Sequence, residues 1–68
     1  MKKYNIEFYS NNGYMLGESA YEYKDFSEVE QYVENLINNH SSLKITFENK
    51  VEFLRVTEIA KIVITEQK

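Results

Sequence analysis

Cysteine and proline are absent from the 68 residues, and only two glycines occur. Without cysteine there is no disulfide framework and no thiolate metal site. Apolar runs end after three or four residues, far short of the roughly 20 that a membrane-spanning helix needs. No charged start followed by an apolar stretch marks a secretion signal. A basic stripe is missing as well: the isoelectric point is near 5.1 and the lysines are scattered. Nucleic-acid binders present such a stripe to phosphates, so direct binding of DNA or RNA is disfavoured. A chain this short forms one small domain, residues 1–68. Its core contributes only a few kcal/mol of net stability unless a partner or a second copy adds to it.

What is present favours folding. Hydrophobic residues make up 43% of the chain and aromatics 15%, whereas disordered chains are poor in both aromatic and β-branched residues. Thirty-two residues are Phe, Tyr, Met, Ile, Asn or Lys, which use AT-rich codons, against five Gly, Ala, Arg or Pro. This points to a low-GC bacterium, its phages or its plasmids. The expected location is the cytoplasm of a bacterial or phage-infected host cell.

Residues Lys3 to Tyr9 alternate, with Tyr4, Ile6 and Phe8 on one side and Asn5, Glu7 and Tyr9 on the other. Period two predicts a half-buried strand. Asn11-Asn12-Gly13 then signals a hairpin, because these residues tolerate positive φ, and a second strand is expected from Tyr14 to about Tyr23. Two registers compete. A two-residue loop at Asn12-Gly13 sets Phe8 opposite Gly17, Tyr4 opposite Tyr21 and Glu7 opposite Glu18, a like-charge pair. A three-residue loop with Gly13 as a bulge sets Phe8 opposite Leu16 and Tyr4 opposite Ala20. The choice decides whether Met15 or Leu16 faces the core, and the three-residue loop is favoured.

Ser27 and Glu30 have capping-box spacing. Val29, Tyr32, Val33, Leu36, Ile37 and His40 follow as one apolar stripe. These predict an amphipathic helix over about 27–39, with Asn38-Asn39 as a left-handed C-terminal cap. Leu43, Ile45 and Phe47 alternate with Lys44, Thr46 and Glu48 as a third strand. Glu48-Asn49-Lys50 reads as a turn, and Val51 and Phe53 open a fourth strand. Ile59, Ile62 and Ile64 satisfy helical and strand spacing in succession. They predict a single helical turn near 57–60 and a short fifth strand. The expected fold is α+β, ββαββ(β), with one amphipathic helix packed on a mostly antiparallel sheet.

Residues 17–34 carry Glu18, Glu22, Asp25, Glu28, Glu30 and Glu34 against Lys24 alone, while the segments on either side are slightly basic. Acids in a first helical turn complement the helix dipole, which accounts for Asp25, Glu28 and Glu30. It does not account for Glu34, one turn beyond Glu30, or for Glu18 and Glu22 on the strand. The alternative is an acidic face that attracts a basic partner, formed by Glu18, Glu22, Glu30 and Glu34.

Six tyrosines are many for this length. Tyr32 belongs to the apolar helix stripe. Tyr9, Tyr14 and one of Tyr21 or Tyr23 are expected at the surface, either as cross-strand packing or as part of a binding surface with the acids. Tyr9, Tyr14 and Tyr23 are the candidates. His40 suits a helix C-terminus and has no partner at catalytic or metal-ligand spacing. Ile62, Val63 and Ile64 are apolar on both faces, as in a central strand or an edge paired with another chain. No proline protects any edge, so these three residues are the expected homodimer contact.

No glycine-rich phosphate loop, metal-ligand spacing or activated nucleophile is recognisable, so neither enzyme activity, nor a cofactor, nor a metal is expected. The expected function is a small protein-interaction module that occludes a basic surface of a larger protein. The alternative is a homodimeric structural or regulatory domain whose sheet binds nucleic acid or a small ligand. In size, composition and element order the chain resembles small acidic accessory proteins of low-GC bacterial phages, anti-CRISPR and other anti-defence inhibitors among them. The resemblance implies a host protein as target and transfers no functional residue. The opening hairpin and the acidic helix are also similar to antitoxins of the HicB type, although the glycine- and proline-rich middle of that family is missing.

Overall fold

The computed structural model describes residues 1–46 and 48–68. The alternation in the first segment becomes β1, Lys2–Tyr9, with Tyr4, Ile6 and Phe8 all buried on one face. β2 spans Met15–Tyr23, α1 spans Phe26–Asn39, and β3 and β4 span Ser42–Thr46 and Val51–Arg55. A 3-10 turn at Val56–Glu58 leads into β5, Lys61–Glu66. The fold is α+β in the expected order, and every strand pair is antiparallel. The strands form two sheets: a three-stranded sheet ordered β2-β1-β5, and a β3-β4 hairpin. Phe47, expected on β3, lies outside the described residues.

The first hairpin combines both registers considered from sequence. Its loop is the three-residue one: Ser10 N donates to Tyr14 O at 2.9 Å, Gly13 N donates to Ser10 O at 3.0 Å, and Gly13 has φ +82°. That φ is accessible to glycine without strain. The register this loop would impose does not persist. Tyr9 pairs with Met15, but an irregularity between Phe8 and Tyr9 resets the ladder, so that Phe8 faces Gly17, Tyr4 faces Tyr21 and Glu7 faces Glu18. Leu16 is the extra residue of this bulge. The bulge directs Met15 outward to solvent and Leu16 onto the core. It also brings Gly17 to the inner face, where the β3-β4 hairpin makes its closest approach. A Cβ on Gly17 would lie 2.7 Å from Ile45 Cδ1 and 3.5 Å from Leu54 Cδ1.

α1 begins at Phe26, one residue before the expected 27–39, and its cap lies two residues before Ser27. Asp25 is the N-cap: its Oδ1 accepts from Glu28 N at 3.0 Å, and Glu28 Oε1 accepts from Lys24 N at 3.4 Å. This frame brings Phe26 into the first turn, where its ring meets Tyr4 edge-on at 4.9 Å. The aromatic contact therefore selects between two polar caps of similar intrinsic quality. At the other end His40 is extended, with φ −132°, and among the described residues none other than glycine has positive φ. Asn38-Asn39 thus form no left-handed cap. Asn39 instead donates from its side chain to Asn35 Oδ1, one turn back.

Val29 and Val33 pack against Tyr4, Ile6 and Phe8, and the hairpin adds Leu43, Ile45 and Leu54. β5 lies at the margin of its sheet, which removes the central-strand reading of Ile62, Val63 and Ile64. Gly17→Val is expected to lower stability by about 1–3 kcal/mol through overpacking. Ala20→Val, on the outer face of the same strand, should change it by no more than about 0.5 kcal/mol. Urea midpoints of the two variants measure the difference.

Candidate interaction surface

β1 uses the backbone groups of both its edges, and two hydrogen bonds fix which residues face which neighbour. Gln67 N donates to Lys3 O at 2.8 Å on the β5 side, and Ser10 N donates to Tyr14 O on the β2 side. Antiparallel ladders alternate bonded and non-bonded pairs. Even-numbered residues of β1 therefore bond β2, and odd-numbered ones bond β5. By the same alternation, the N–H and C=O groups of Glu18, Ala20 and Glu22 point out from the free edge of β2. Those of Ile62, Ile64 and Glu66 point out from the free edge of β5.

On the inner side of β2, tyrosines gather against the helix. Tyr21 and Tyr23 lie 6.3 Å apart, and Tyr32 of α1 lies 6.2 Å from the first and 5.7 Å from the second. Tyr4 and Phe26 continue the cluster inward. Tyr21 is 48% exposed, and Tyr32 and Phe26 are also exposed. Tyr32, expected to be a packed residue of the helix stripe, therefore sits at the rim. Beside the cluster, a cleft of about 340 Å³ runs between Glu18, Ser19, Ala20 and Tyr21 on β2 and Ile45 and Thr46 on β3. An adjoining cleft of about 250 Å³ includes Tyr21, Tyr32, Leu36 and His40 among its walls. The first cleft is mixed, with Asn5, Glu18, Ser19 and Thr46 beside Tyr21 and Ile45, and the second adds apolar and aromatic walls at Phe8, Tyr32, Leu36 and Leu43.

The acidic residues of 17–34 do not form one face. Glu18 and Glu22 alternate with Ser19, Tyr21 and Tyr23, so they project from the outer face of the sheet together with Glu7 and Tyr9. There Glu7 sits directly opposite Glu18, an unfavourable cross-strand pair. The ammonium of Lys61 lies 5.0 Å from the Tyr9 ring centroid. Glu30 and Glu34 share a helix stripe with Ile37, and Ile37 borders a cleft with Ile59 and Ile62 on the β5 side. Asp25 and Glu28, at the helix start, are the acids next to the tyrosines. Of the sequence candidates, Glu18, Glu22 and Tyr9 share the outer face, with Glu18 near Tyr9 and Glu22 at the far end of the strand, opposite Lys3. The fold places Tyr23 across the same strand, sets Glu30 and Glu34 apart, and leaves Tyr14, 71% exposed, at the loop exit. Tyr21, expected as an alternative to Tyr23 at the surface, and Tyr32, assigned to the packed helix stripe, are both exposed and were not among the candidates. The available signal was the i, i+2 spacing of Tyr21 and Tyr23 together with a tyrosine on the facing helix.

The cluster perturbs its own tyrosines. Burial, then the neighbouring Tyr32, Tyr21 and Glu28, pushes Tyr23 up to about 12. Burial and the nearby Glu66, Asp25 and Glu28 also raise Tyr4. The Tyr4 side chain is wholly buried, and its hydroxyl has no hydrogen-bond partner among the described residues. Among the described residues no group of three or more His, Asp or Glu converges as a metal site, and no helix is long and apolar enough to cross a membrane. The chain matches no protein-family model, no curated protein and no solved structure.

Two outcomes follow from these tyrosines. The stabilisation associated with neutral Tyr23 is complete below the ordinary tyrosine value of 10.0 and is lost as pH rises toward about 12, because the unfolded chain releases its proton first. Denaturant midpoints should fall over that interval, and less steeply in Tyr23→Phe. Tyr4→Phe should leave stability unchanged or raise it, since it removes a buried hydroxyl that lacks a partner. A lowered melting temperature in Tyr4→Phe would contradict the geometry.

Proposed function

We propose that the protein is a small non-enzymatic interaction module, and that its partner is a protein presenting an extended segment rich in basic and apolar residues. The observation that supports this most is the free edge of β2. Its outward backbone groups at Glu18, Ala20 and Glu22 stand between the tyrosine cluster on one side and two glutamates on the other. A strand added to that edge gains main-chain hydrogen bonds, and its alternate side chains meet different chemistry on the two faces. Apolar side chains meet Tyr21, Tyr23 and Tyr32. Lysine or arginine meets Glu18 and Glu22. Tyrosine provides large contact area with little loss of side-chain entropy, and the carboxylates favour a basic partner during approach.

The like-charge pair Glu7–Glu18 supports the same reading. It weakens the sheet locally, and such conflicts are expected where a site rather than the fold sets the residue. Glu7, Glu18 and Glu22 on the outer face weigh against the alternative of nucleic acid bound on the sheet. Size and AT-rich coding are what support placing the module among anti-defence accessory proteins acting on a host protein in the cytoplasm.

The test is capture of partners from a low-GC bacterial host extract by the wild type and by folded variants. Tyr21→Ala combined with Tyr32→Ala is expected to weaken capture of a specific partner tenfold or more, the scale of interface anchors. Glu18→Gln with Glu22→Gln should reduce both capture and its salt dependence. Glu30→Gln with Glu34→Gln should leave capture unchanged. Retention by the tyrosine variant at wild-type strength would contradict the proposal.

A further inference from the structure

We infer that the opposite edge of the sheet, β5, pairs with β5 of a second copy across a two-fold axis. A continuous six-stranded antiparallel sheet results, in which Val63 of each chain faces Val63 of the other.

Four observations carry this. The outward backbone groups of β5 belong to Ile62, Ile64 and Glu66, given the bonding phase set by Gln67 N and Lys3 O. A two-fold axis normal to the sheet keeps each face on its own side, so only residues of equal parity can pair. The register that centres on Val63 sets Ile62 against Ile64 of the second copy, twice over, with both residues presenting their backbone groups to the interface. Shifting it to centre on Ile64 would set Ile62 against Glu66. Second, Ile62, Val63 and Ile64 are uncharged, and nothing along this edge blocks pairing: proline is absent and the charges lie at the strand ends. Third, those ends carry opposite charge, Lys61 at one and Glu66 at the other. In the antiparallel register centred on Val63, Lys61 faces Thr65 and Glu66 faces Ala60 of the second copy, so no like charges meet, whereas in-register parallel association would set Lys61 beside Lys61 and Glu66 beside Glu66. Fourth, an apolar cleft of about 430 Å³ adjoins the strand, lined by Val33, Ile37, Val56, Ile59 and Ile62 among others. Ile37 is 38% exposed there, and the inner-face isoleucines of a second β5 would extend beneath that helix flank.

The middle of the β2 edge is charged, unlike that of β5. Its outward positions include Glu18 and Glu22, and a two-fold pairing centred on Ala20 would set Glu18 against Glu22 of the second copy.

The experiment exploits the central pair. In a monomer, Val63→Lys places an ammonium opposite Glu7, its cross-strand neighbour, which favours the fold. In the dimer it places two ammoniums directly against each other. Light scattering on the concentrated wild type should give about twice the chain mass of 8.1 kDa. Val63→Lys, with an unchanged circular dichroism spectrum, should give the single-chain mass. An equimolar mixture of Val63→Lys with Val63→Glu should return to the doubled mass. A wild type that stays at the single-chain mass at millimolar concentration overturns the inference. So does a Val63→Lys protein that remains dimeric, since its contact must then lie elsewhere.

Discussion

One strand bonded on both sides organises this molecule. Among the described residues β1 is the only strand whose backbone is paired along both edges, and its alternate side chains Tyr4, Ile6 and Phe8 are the floor of the core. The helix and the β3-β4 hairpin cover that floor from one side. Burial of apolar area at about 25 cal/mol per Å² stabilises such a packing. In a chain of this size, however, no other element can substitute for the floor. Every further feature depends on it: the bulge at Leu16, the close approach at Gly17, and the helix cap chosen by Phe26 against Tyr4.

A three-stranded sheet centred on β1 has two free edges, and the sequence gives them opposite character. β5 is uncharged over its middle. β2 carries Glu18 and Glu22 on its outer face and Tyr21 and Tyr23 on its inner face. Exposed edges promote unwanted association unless charge or geometry opposes it. Charge at β2 meets that requirement directly, the pairing we propose for β5 would meet it by occupying the edge, and each edge presents a distinct surface. The β3-β4 hairpin contributes a third: Phe53, 70% exposed, and Val51 share their outward face with Lys44 and Arg55.

Much of the fold was legible in periodicity. Tyr4, Ile6 and Phe8 at period two, and Val29, Val33 and Leu36 at helical spacing, mark core positions in the sequence itself. The loop at Asn11-Asn12-Gly13 was legible because glycine at positive φ is a local requirement. The register beyond it was not, because the bulge at Leu16 answers to a hairpin more than 25 residues away in sequence, whose Ile45 needs the space above Gly17. The helix start was misplaced for a similar reason. Asp25 and Ser27 are equivalent caps locally, and only the Tyr4–Phe26 contact separates them. The acidic segment misled in the opposite way. It is contiguous in sequence, but a strand alternates faces and a helix turns. Glu18 and Glu22 therefore part from Glu30 and Glu34, and Tyr21 and Tyr32, far apart in sequence, come together.

Residue-resolved hydrogen exchange on the folded protein tests the organising role of β1 most directly. Amides that require the whole structure to open exchange slowest. The account predicts that the amides of Tyr4, Asn5, Ile6, Glu7 and Phe8 are the slowest in the chain. It also predicts an alternation on β2, with Ser19 and Tyr21 protected and Glu18, Ala20 and Glu22 exchanging rapidly. Slowest exchange in the β3-β4 hairpin, or uniform protection along β2, would contradict it.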